Sequence, residues 1–136
     1  MNTIIDNIKC GDIKKSKVHG FGLFATRTVE INEVLCYLDG QYIDWKIYDS
    51  LLIKSPELVQ IFIEWNAISE SLLLLRPFRT KYSYINHSRI PNVAVKHNPI
   101  RLVALRQIKI NEEFLLDYRA EPLRKEYIEG HGKTYL

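Results

Sequence analysis

The sequence predicts a mostly β domain of short strands with a partly helical insert. In residues 1–40, short apolar runs alternate with Gly, Asn and charged turn positions. Three-to-four spacing of apolar residues follows in 42–78, and strand signals return in 81–118. Short runs bounded by turn residues are typical of strands, whereas the longer spaced pattern indicates helix. We expect a single domain over residues 1–136, with an insert at 41–80 and a tail at 120–136.

The first part of the chain should form strands at residues 4–8, 22–28 and 34–38. Each run is rich in apolar or β-branched residues and is bounded by turn formers.

The insert should be helical. Its spaced apolar positions are Leu51, Leu52, Leu58, Ile61, Phe62 and Trp65. Pro56 stands where a helix could begin, and Pro77 ends the stretch.

The third part predicts strands at residues 93–95, 101–105 and 114–116, with turns at Asn98-Pro99 and Asn111-Glu112. The tail from Glu121 predicts a short helix before Gly130.

Composition places the chain among ordinary globular proteins, at 46% hydrophobic and 26% charged residues. The longest apolar run, residues 72–75, is too short to cross a bilayer, and the first residues lack the apolar core of a secretory signal. We therefore expect an intracellular protein, cytoplasmic or nuclear, without a membrane segment.

Charge and cysteine content exclude further classes. The net charge of +3 comes from basic residues that are spread along the chain apart from Lys14, Lys15 and Lys17, so nucleic-acid binding is not expected. Cys10 and Cys36 supply neither a disulfide framework nor a four-ligand zinc site. We expect free thiols, with a single bridge as the alternative.

The first motif is HGFGLFA at residues 19–25, in which Gly20 and Gly22 permit positive φ or a close backbone approach to a ligand. A dinucleotide-binding loop would need a third glycine where Ala25 stands. An ordinary tight turn between strands is the alternative.

The second motif is YINHSRIPN at residues 84–92, a polar run between apolar segments. Asn86 can donate and accept through its side chain, so the run suits either a polar ligand or a capped turn. The glycosylation pattern at Asn86-His87-Ser88 is expected to be accidental without a secretory signal. A metal site that uses His87 and His97 is a remote alternative, because Cys and closely spaced His are missing.

The third motif is NEEFLLDY at residues 111–118, a charged turn that enters an apolar strand ending in Asp117-Tyr118. A tyrosine at a strand end often packs its ring and exposes its hydroxyl, so this motif alone does not indicate catalysis.

In this order, the three motifs resemble the SET-domain protein lysine methyltransferases. That family has an early Gly-x-Gly, then Asn-His-Ser-x-x-Pro-Asn, then Glu-Glu-Leu-x-x-Asp-Tyr, with a variable insert before the second motif. The resemblance covers residues 13–119. It implies a β-clip fold of small sheets with a knot-like C-terminal region.

The resemblance implies S-adenosylmethionine as the cofactor and no metal. Six residues would bind the cofactor, the first three through their backbone: Gly20, Phe21, Gly22, Tyr84, Asn86 and His87. The side chains of Asn86 and His87 would hold its amino group and adenine.

The resemblance makes Tyr118 the catalytic residue, at the junction of the cofactor and lysine sites. Methyl transfer to a neutral amine needs mainly positioning and electrostatic shaping. Desolvation beside a positive sulfonium lowers the pKa of the lysine, which reduces the need for a carboxylate base. Glu112 and Glu113 are therefore interpreted as turn residues, and Asp117 as structural.

The lysine channel is where the chain departs from the family. Tyr37 is the candidate channel tyrosine, although its distance to Gly40 is one residue longer than the family pattern. Leu116 stands where many relatives carry Phe or Tyr, which predicts products beyond monomethyl-lysine. Tyr127 and Tyr135 are candidates for an aromatic wall supplied by the tail.

The sequence thus predicts a protein-lysine N-methyltransferase, with a histone as one candidate substrate. A catalytically inactive SET-like module that binds a peptide or partner protein is the alternative. A basic histone tail would need an acidic groove, for which Asp44, Asp49, Glu57, Glu64 and Glu70 are the candidates. The apolar stretch at 61–75 suits either the core or a homodimer surface.

Overall fold

The structure is a computed structural model that describes residues 4–130 and 132–136. Among these residues the chain forms two compact units. The sheet unit comprises residues 4–38 and 80–118, and the insert unit comprises residues 39–79 and 119–136. The expectation of one domain over the whole chain stays a prediction.

The secondary structure consists mainly of short strands, at 33% strand and 21% helix, which confirms the predicted fold class. In chain order the strands are β1 Gly11–Lys15, β2 Phe21–Ala25, β3 Val34–Tyr37, β4 Gln41–Asp44, β5 Glu64–Ala67, β6 Leu72–Arg76, β7 Asn86–His87, β8 Val93–Lys96, β9 Arg101–Ala104 and β10 Leu115–Leu116. The α-helices are α1 Trp45–Lys54, α2 Pro56–Ile61 and α3 Lys125–Glu129. Two 3₁₀ helices cover Lys81–Tyr84 and Tyr118–Ala120.

The sheet unit contains an antiparallel hairpin, β1–β2, and a five-stranded sheet in the order β3-β9-β8-β10-β7. The short strand β10 runs parallel to β7, with Leu115 opposite Asn86 and Leu116 opposite His87. Parallel neighbours cannot be joined by a tight hairpin, so distant segments of the chain meet here. This pairing places the second and third motifs side by side.

The core of the sheet unit is built from large apolar side chains that are almost completely buried: Ile8, Leu23, Ile85, Leu102, Ile108 and Phe114. Cys10 and Cys36 are buried and free, as expected. Burial of these side chains supplies the main stabilisation of the strands that position the motifs.

The insert unit packs α1 and α2 with the three-stranded sheet β4-β6-β5. Asp44 caps α1 by accepting a hydrogen bond from the Lys46 amide at 2.7 Å. Pro56 is the first residue of α2, which confirms the predicted start. Trp45, Ala67 and Leu73 form the buried centre of this unit.

The tail returns to the insert unit through α3, a short helix that ends before Gly130 as predicted. Arg124 forms a bidentate ion pair with Asp49, at 2.9 and 2.7 Å, and lies over the Trp45 ring. Tyr127 packs edge-to-face on Trp65, with the ring centroids 5.7 Å apart.

The strand predicted at residues 4–8 is wrong. Only Ile5 pairs there, in an isolated bridge with Thr80, and the first strand is Gly11–Lys15. That strand has the sequence GDIKK, and most of its residues are exposed. The strand lies in a two-stranded hairpin with little apolar surface to bury. Its sequence therefore lacks the alternation of apolar and polar residues that predicts a strand.

The helical prediction for the insert is wrong in its second half. Residues 64–67 and 72–76 are the strands β5 and β6, which pair antiparallel with Trp65 opposite Leu75. The run LLLLR in β6 is largely buried, and a short apolar run of this kind has the same pattern in a buried strand as in a helix.

Candidate functional site

The site is organised around Tyr118, which follows β10 at the start of a 3₁₀ helix. Its hydroxyl donates a hydrogen bond to the carbonyl of Ile85, whose side chain is almost completely buried. Its ring is tilted against the His87 ring, with the centroids 5.1 Å apart. The hydroxyl therefore has a fixed direction, because both the ring and the O–H group are held by the segment around β7.

His87 is oriented by the backbone of the third motif. Its Nδ1 accepts a hydrogen bond from the Tyr118 amide at 3.0 Å. An Nδ1 that accepts is unprotonated, so the neutral ring carries its hydrogen on Nε2. Asp117 Oδ1 lies 3.8 Å from the same Nδ1. The side chain of His87 thus ties β7 to the Asp117-Tyr118 pair.

Asn86 joins β7 to the glycine motif. Its Nδ2 lies 3.0 Å from the His19 carbonyl, 3.1 Å from the Phe21 carbonyl and 2.9 Å from Glu113 Oε2. These three acceptors fix which end of the carboxamide is the NH₂ group. The side-chain oxygen Oδ1 accordingly faces away from them.

The glycine motif forms the turn into β2, and both of its glycines have a structural reason. Gly20 has φ of +46°, in the left-handed region that glycine adopts most readily. A Cβ on Gly22 would lie 2.2 Å from Glu113 Oε2, so a side chain at this position would displace the carboxylate. Between them, the Phe21 side chain is exposed.

The structure gathers most of the predicted cofactor residues around β2 and β7. Gly20, Phe21 and Gly22 are linked to Asn86 through the contacts above. Tyr84 is half-buried at the end of the 3₁₀ helix that packs against β2. The site residues from all three motifs therefore lie within the sheet unit.

The predicted channel residues are not gathered in the same way. Tyr37 is 63% exposed at the end of β3, the opposite edge of the sheet from β7. Four strand spacings separate these edges, about 19 Å along the sheet. Leu116 is buried, at 3% exposure, and Tyr127 packs within the insert unit. Their channel roles stay predictions.

Two contacts at this site were not anticipated from the sequence. Glu112 is a turn residue, as predicted: its carboxylate accepts from the Lys109 amide at 2.8 Å and pairs with Arg106. The prediction that Glu113 is also a turn residue is wrong. The Glu113 carboxylate accepts from Ser16 Oγ as well as from Asn86. The two glutamates are adjacent in one charged turn motif, so the sequence does not distinguish their contacts. No local pattern indicates a role for Ser16.

The insert unit has a separate cavity of about 540 Å³ whose walls include Trp45, Tyr48, Trp65 and Arg124. The guanidinium carbon of Arg124 lies 4.3 Å from the centre of the Trp45 ring and so takes the place that a ligand cation would occupy. The residues of the three sequence motifs do not line this cavity, because they lie in the sheet unit.

The comparisons agree with this geometry. A family model described as the SET domain matches residues 20–119, and the chain therefore belongs to the SET-domain family. No curated protein matches the chain.

Among solved structures, the chain is similar to a structure of ctPRC2 in complex with H3K27me3 and H3K27M, at 21% identity and a TM-score of 0.61. The match covers 79% of this chain and only 14% of the other, so the likeness supports the fold alone.

SET domains generally methylate lysine with S-adenosylmethionine as the methyl donor. In residues 4–130 and 132–136, no three His, Cys, Asp or Glu side chains are grouped so that they could hold a metal ion. None of the helices in this part of the chain has the length and apolar character that a bilayer crossing demands.

Proposed function

We propose that the protein is a protein-lysine N-methyltransferase that uses S-adenosylmethionine. The observation that carries the proposal is the fixed Tyr118 hydroxyl beside His87, on a strand pair that also holds Asn86. A module that only bound a peptide would not need this arrangement.

The residues around Asn86 fit the cofactor. The Asn86 NH₂ group is engaged by two loop carbonyls and Glu113, which leaves Oδ1 directed elsewhere as an acceptor for an ammonium group. The Nε2–H group of the neutral His87 ring can donate to a purine nitrogen. Among the described residues, no atom beyond the chain neighbours lies within 4 Å of the position that a Cβ on Gly20 would occupy, so this part of the turn is open to a ligand.

S-adenosylmethionine, when bound, supplies a methyl group activated by a positive sulfonium. The Tyr118 hydroxyl donates its hydrogen to the Ile85 carbonyl, so toward a lysine amine it would act as a hydrogen-bond acceptor. This hydrogen bond would orient the amine, and the oxygen dipole would stabilise nearby positive charge.

The lysine must be neutral before it can attack. A free lysine has a pKa of about 10.4, which burial and nearby positive charge both lower. Glu112 is paired with Arg106 on the surface, and Glu113 is held by Ser16 and Asn86. Neither carboxylate is therefore assigned as a base, and the proton is released to water.

A histone remains one candidate substrate, but the acidic groove predicted for it is wrong at Glu64. Glu64 is buried in an ion pair with Arg76, and Asp49 is paired with Arg124. Glu57 and Glu70 are exposed and could still contribute. The choice of substrate protein thus rests on the assay below.

The proposal is tested by calorimetric titration with S-adenosylmethionine, followed by methyl transfer to mixed histones and other lysine-rich proteins. We expect stoichiometric binding, methylated lysine, and products beyond monomethyl-lysine at long times. Failure to bind the cofactor would contradict the proposal. Binding without turnover on any substrate would favour the inactive module, and monomethyl-lysine alone would refute the product prediction for Leu116.

A further inference from the structure

Glu113 lies at the centre of the contacts that shape the glycine motif. Its carboxylate oxygens accept from the Ser16 hydroxyl at 2.7 and 2.9 Å, and Oε2 also accepts from Asn86 Nδ2 at 2.9 Å. Its backbone pairs with Phe24 of β2 in an isolated bridge. The residue therefore contacts both ends of the turn that leads into β2, and the strand that carries Asn86.

Ser16 passes this contact on to the loop. Because the hydroxyl hydrogen of Ser16 is directed at Glu113, its oxygen lone pairs face the loop amides. Ser16 Oγ accepts from the Val18 amide at 2.9 Å and lies 3.4 Å from the His19 amide nitrogen. The Ser16 amide donates to the Gly20 carbonyl at 2.7 Å. The orientation of one hydroxyl thus sets the loop that ends at Gly20.

Asn86 depends on Glu113 for its orientation. An amide NH₂ group has two hydrogens, and the NH₂ group of Asn86 is surrounded by three acceptors. Two of these acceptors, the His19 and Phe21 carbonyls, belong to the same loop that Ser16 holds. Loss of the carboxylate would therefore loosen the loop and remove the only charged acceptor of the three.

Gly22 provides the space for this carboxylate. The Oε2 atom lies 2.2 Å from the position that a Cβ on Gly22 would occupy. The glycine motif and Glu113 are thus one arrangement, in which the missing side chain of Gly22 lets a charged group reach the loop and Asn86 together.

We infer that Glu113 is a positioning residue for the cofactor: it holds the loop of residues 16–21 and the carboxamide of Asn86 in the arrangement that binds S-adenosylmethionine. The inference rests on the proposed function. Glu113 acts through Ser16 and Asn86 and does not itself touch the cofactor or the reacting atoms.

The test compares Glu113→Ala with Glu112→Ala, which removes the neighbouring carboxylate from a surface ion pair with Arg106. In cofactor-free protein, hydrogen exchange at the Val18 and His19 amides should accelerate about tenfold or more in Glu113→Ala and stay unchanged in Glu112→Ala. Cofactor Kd should rise about ten- to a hundredfold in Glu113→Ala, with kcat at saturating cofactor within about threefold.

Glu113→Gln serves as the conservative variant and guards against misfolding of the alanine variant. It keeps one acceptor oxygen but loses the second one and the negative charge, so exchange and Kd should fall between wild type and Glu113→Ala. Ser16→Ala should accelerate exchange at the same amides.

Unchanged loop exchange in both Glu113 variants would overturn the inference. Faster exchange with unchanged cofactor Kd would overturn the cofactor part of it. If wild-type protein bound no cofactor, the proposed function and the cofactor role of Glu113 would both fail, whereas the tie between Glu113 and the loop would still be decided by exchange in the cofactor-free protein.

Discussion

Glu121 shows how burial changes the chemistry of a single side chain. Its carboxyl is half-buried, and this burial raises its pKa from 4.5 to about 7. Between pH 4.5 and about 7, Glu121 is therefore protonated in the folded state to a greater extent than in the unfolded chain. Stability contributed by this proton is fully present below about pH 4.5 and is lost as the pH rises through about 7.

Glu121→Gln removes the ionisation and should stabilise the protein at high pH. We expect the Tm of the variant to match that of wild type near pH 4.5 and to exceed it by several degrees at pH 8, on the order of 5 °C. Thermal unfolding across this pH range measures the difference. Glu70→Gln, at an exposed position, is the control and should follow wild type throughout. A Tm difference for Glu121→Gln that does not change with pH would contradict the assignment.

At the same scale, the site was predictable in part. Asn86, His87 and Tyr118 stand in short dense motifs whose order identifies the family. The contact between Ser16 and Glu113 spans 97 residues of sequence and depends on tertiary packing, so no local pattern contains it. Glu112 and Glu113 are equivalent in the sequence, and only the register of the strand bridge at Phe24 separates their roles.

Among the structural elements, the β5–β6 hairpin of the insert unit carries an unusual buried charge. Arg76 and Glu64 form an ion pair in which both residues are about 95% buried, each at 5% exposure. Arg76 also donates to Asn66 Oδ1 at 2.8 Å and to the Asp39 carbonyl at 3.1 Å. The guanidinium is thus satisfied only while all these partners stay in place.

Glu64→Gln should leave the Arg76 charge buried without its counter-ion, at a cost of about 3–5 kcal/mol in the free energy of unfolding. Urea unfolding followed by tryptophan fluorescence measures this loss, since Trp45 and Trp65 both lie in the insert unit. The surface pair gives the matched comparison: Glu112→Ala should cost at most about 1 kcal/mol. Equal losses in the two variants would show that burial of the Arg76 pair has no special consequence.

The elements that sequence analysis missed share a physical cause. A strand reveals itself by alternation only when one face is buried and the other is wet. β1 has little buried surface, and β6 is buried on most of its length, so neither alternates. The strands that were predicted, such as β3 and β9, lie in the larger sheet and are bounded by clear turn residues. The helix start at Pro56 was predictable because proline fixes its own φ.

At the scale of the whole molecule, the apolar stretch at residues 61–75 divides into two kinds of surface. Leu73 and Leu74 are core residues, whereas Ile61 and Phe62 are exposed. The homodimer suggested by this stretch stays a prediction, and Ile61 and Phe62 are its exposed apolar residues.

The family assignment follows from features spread over the whole sheet unit. The match to the SET domain covers residues 20–119, and the parallel pairing of β7 with β10 brings motifs that are separate in the sequence side by side. Motif order could be read directly, but the pairing that joins them could not, because parallel strands require long connections and leave no turn signal.

We propose that Tyr118 acts in methyl transfer to lysine while His87 and Asn86 hold the cofactor. The most direct measurement compares wild type with Tyr118→Phe. It determines turnover on a protein substrate that wild type methylates, and the Kd for S-adenosylmethionine. The variant keeps the ring that packs on His87 and loses only the hydroxyl. We expect kcat to fall about a hundredfold or more, with Kd within about threefold of wild type. Unchanged turnover in Tyr118→Phe would contradict this role of the Tyr118 hydroxyl.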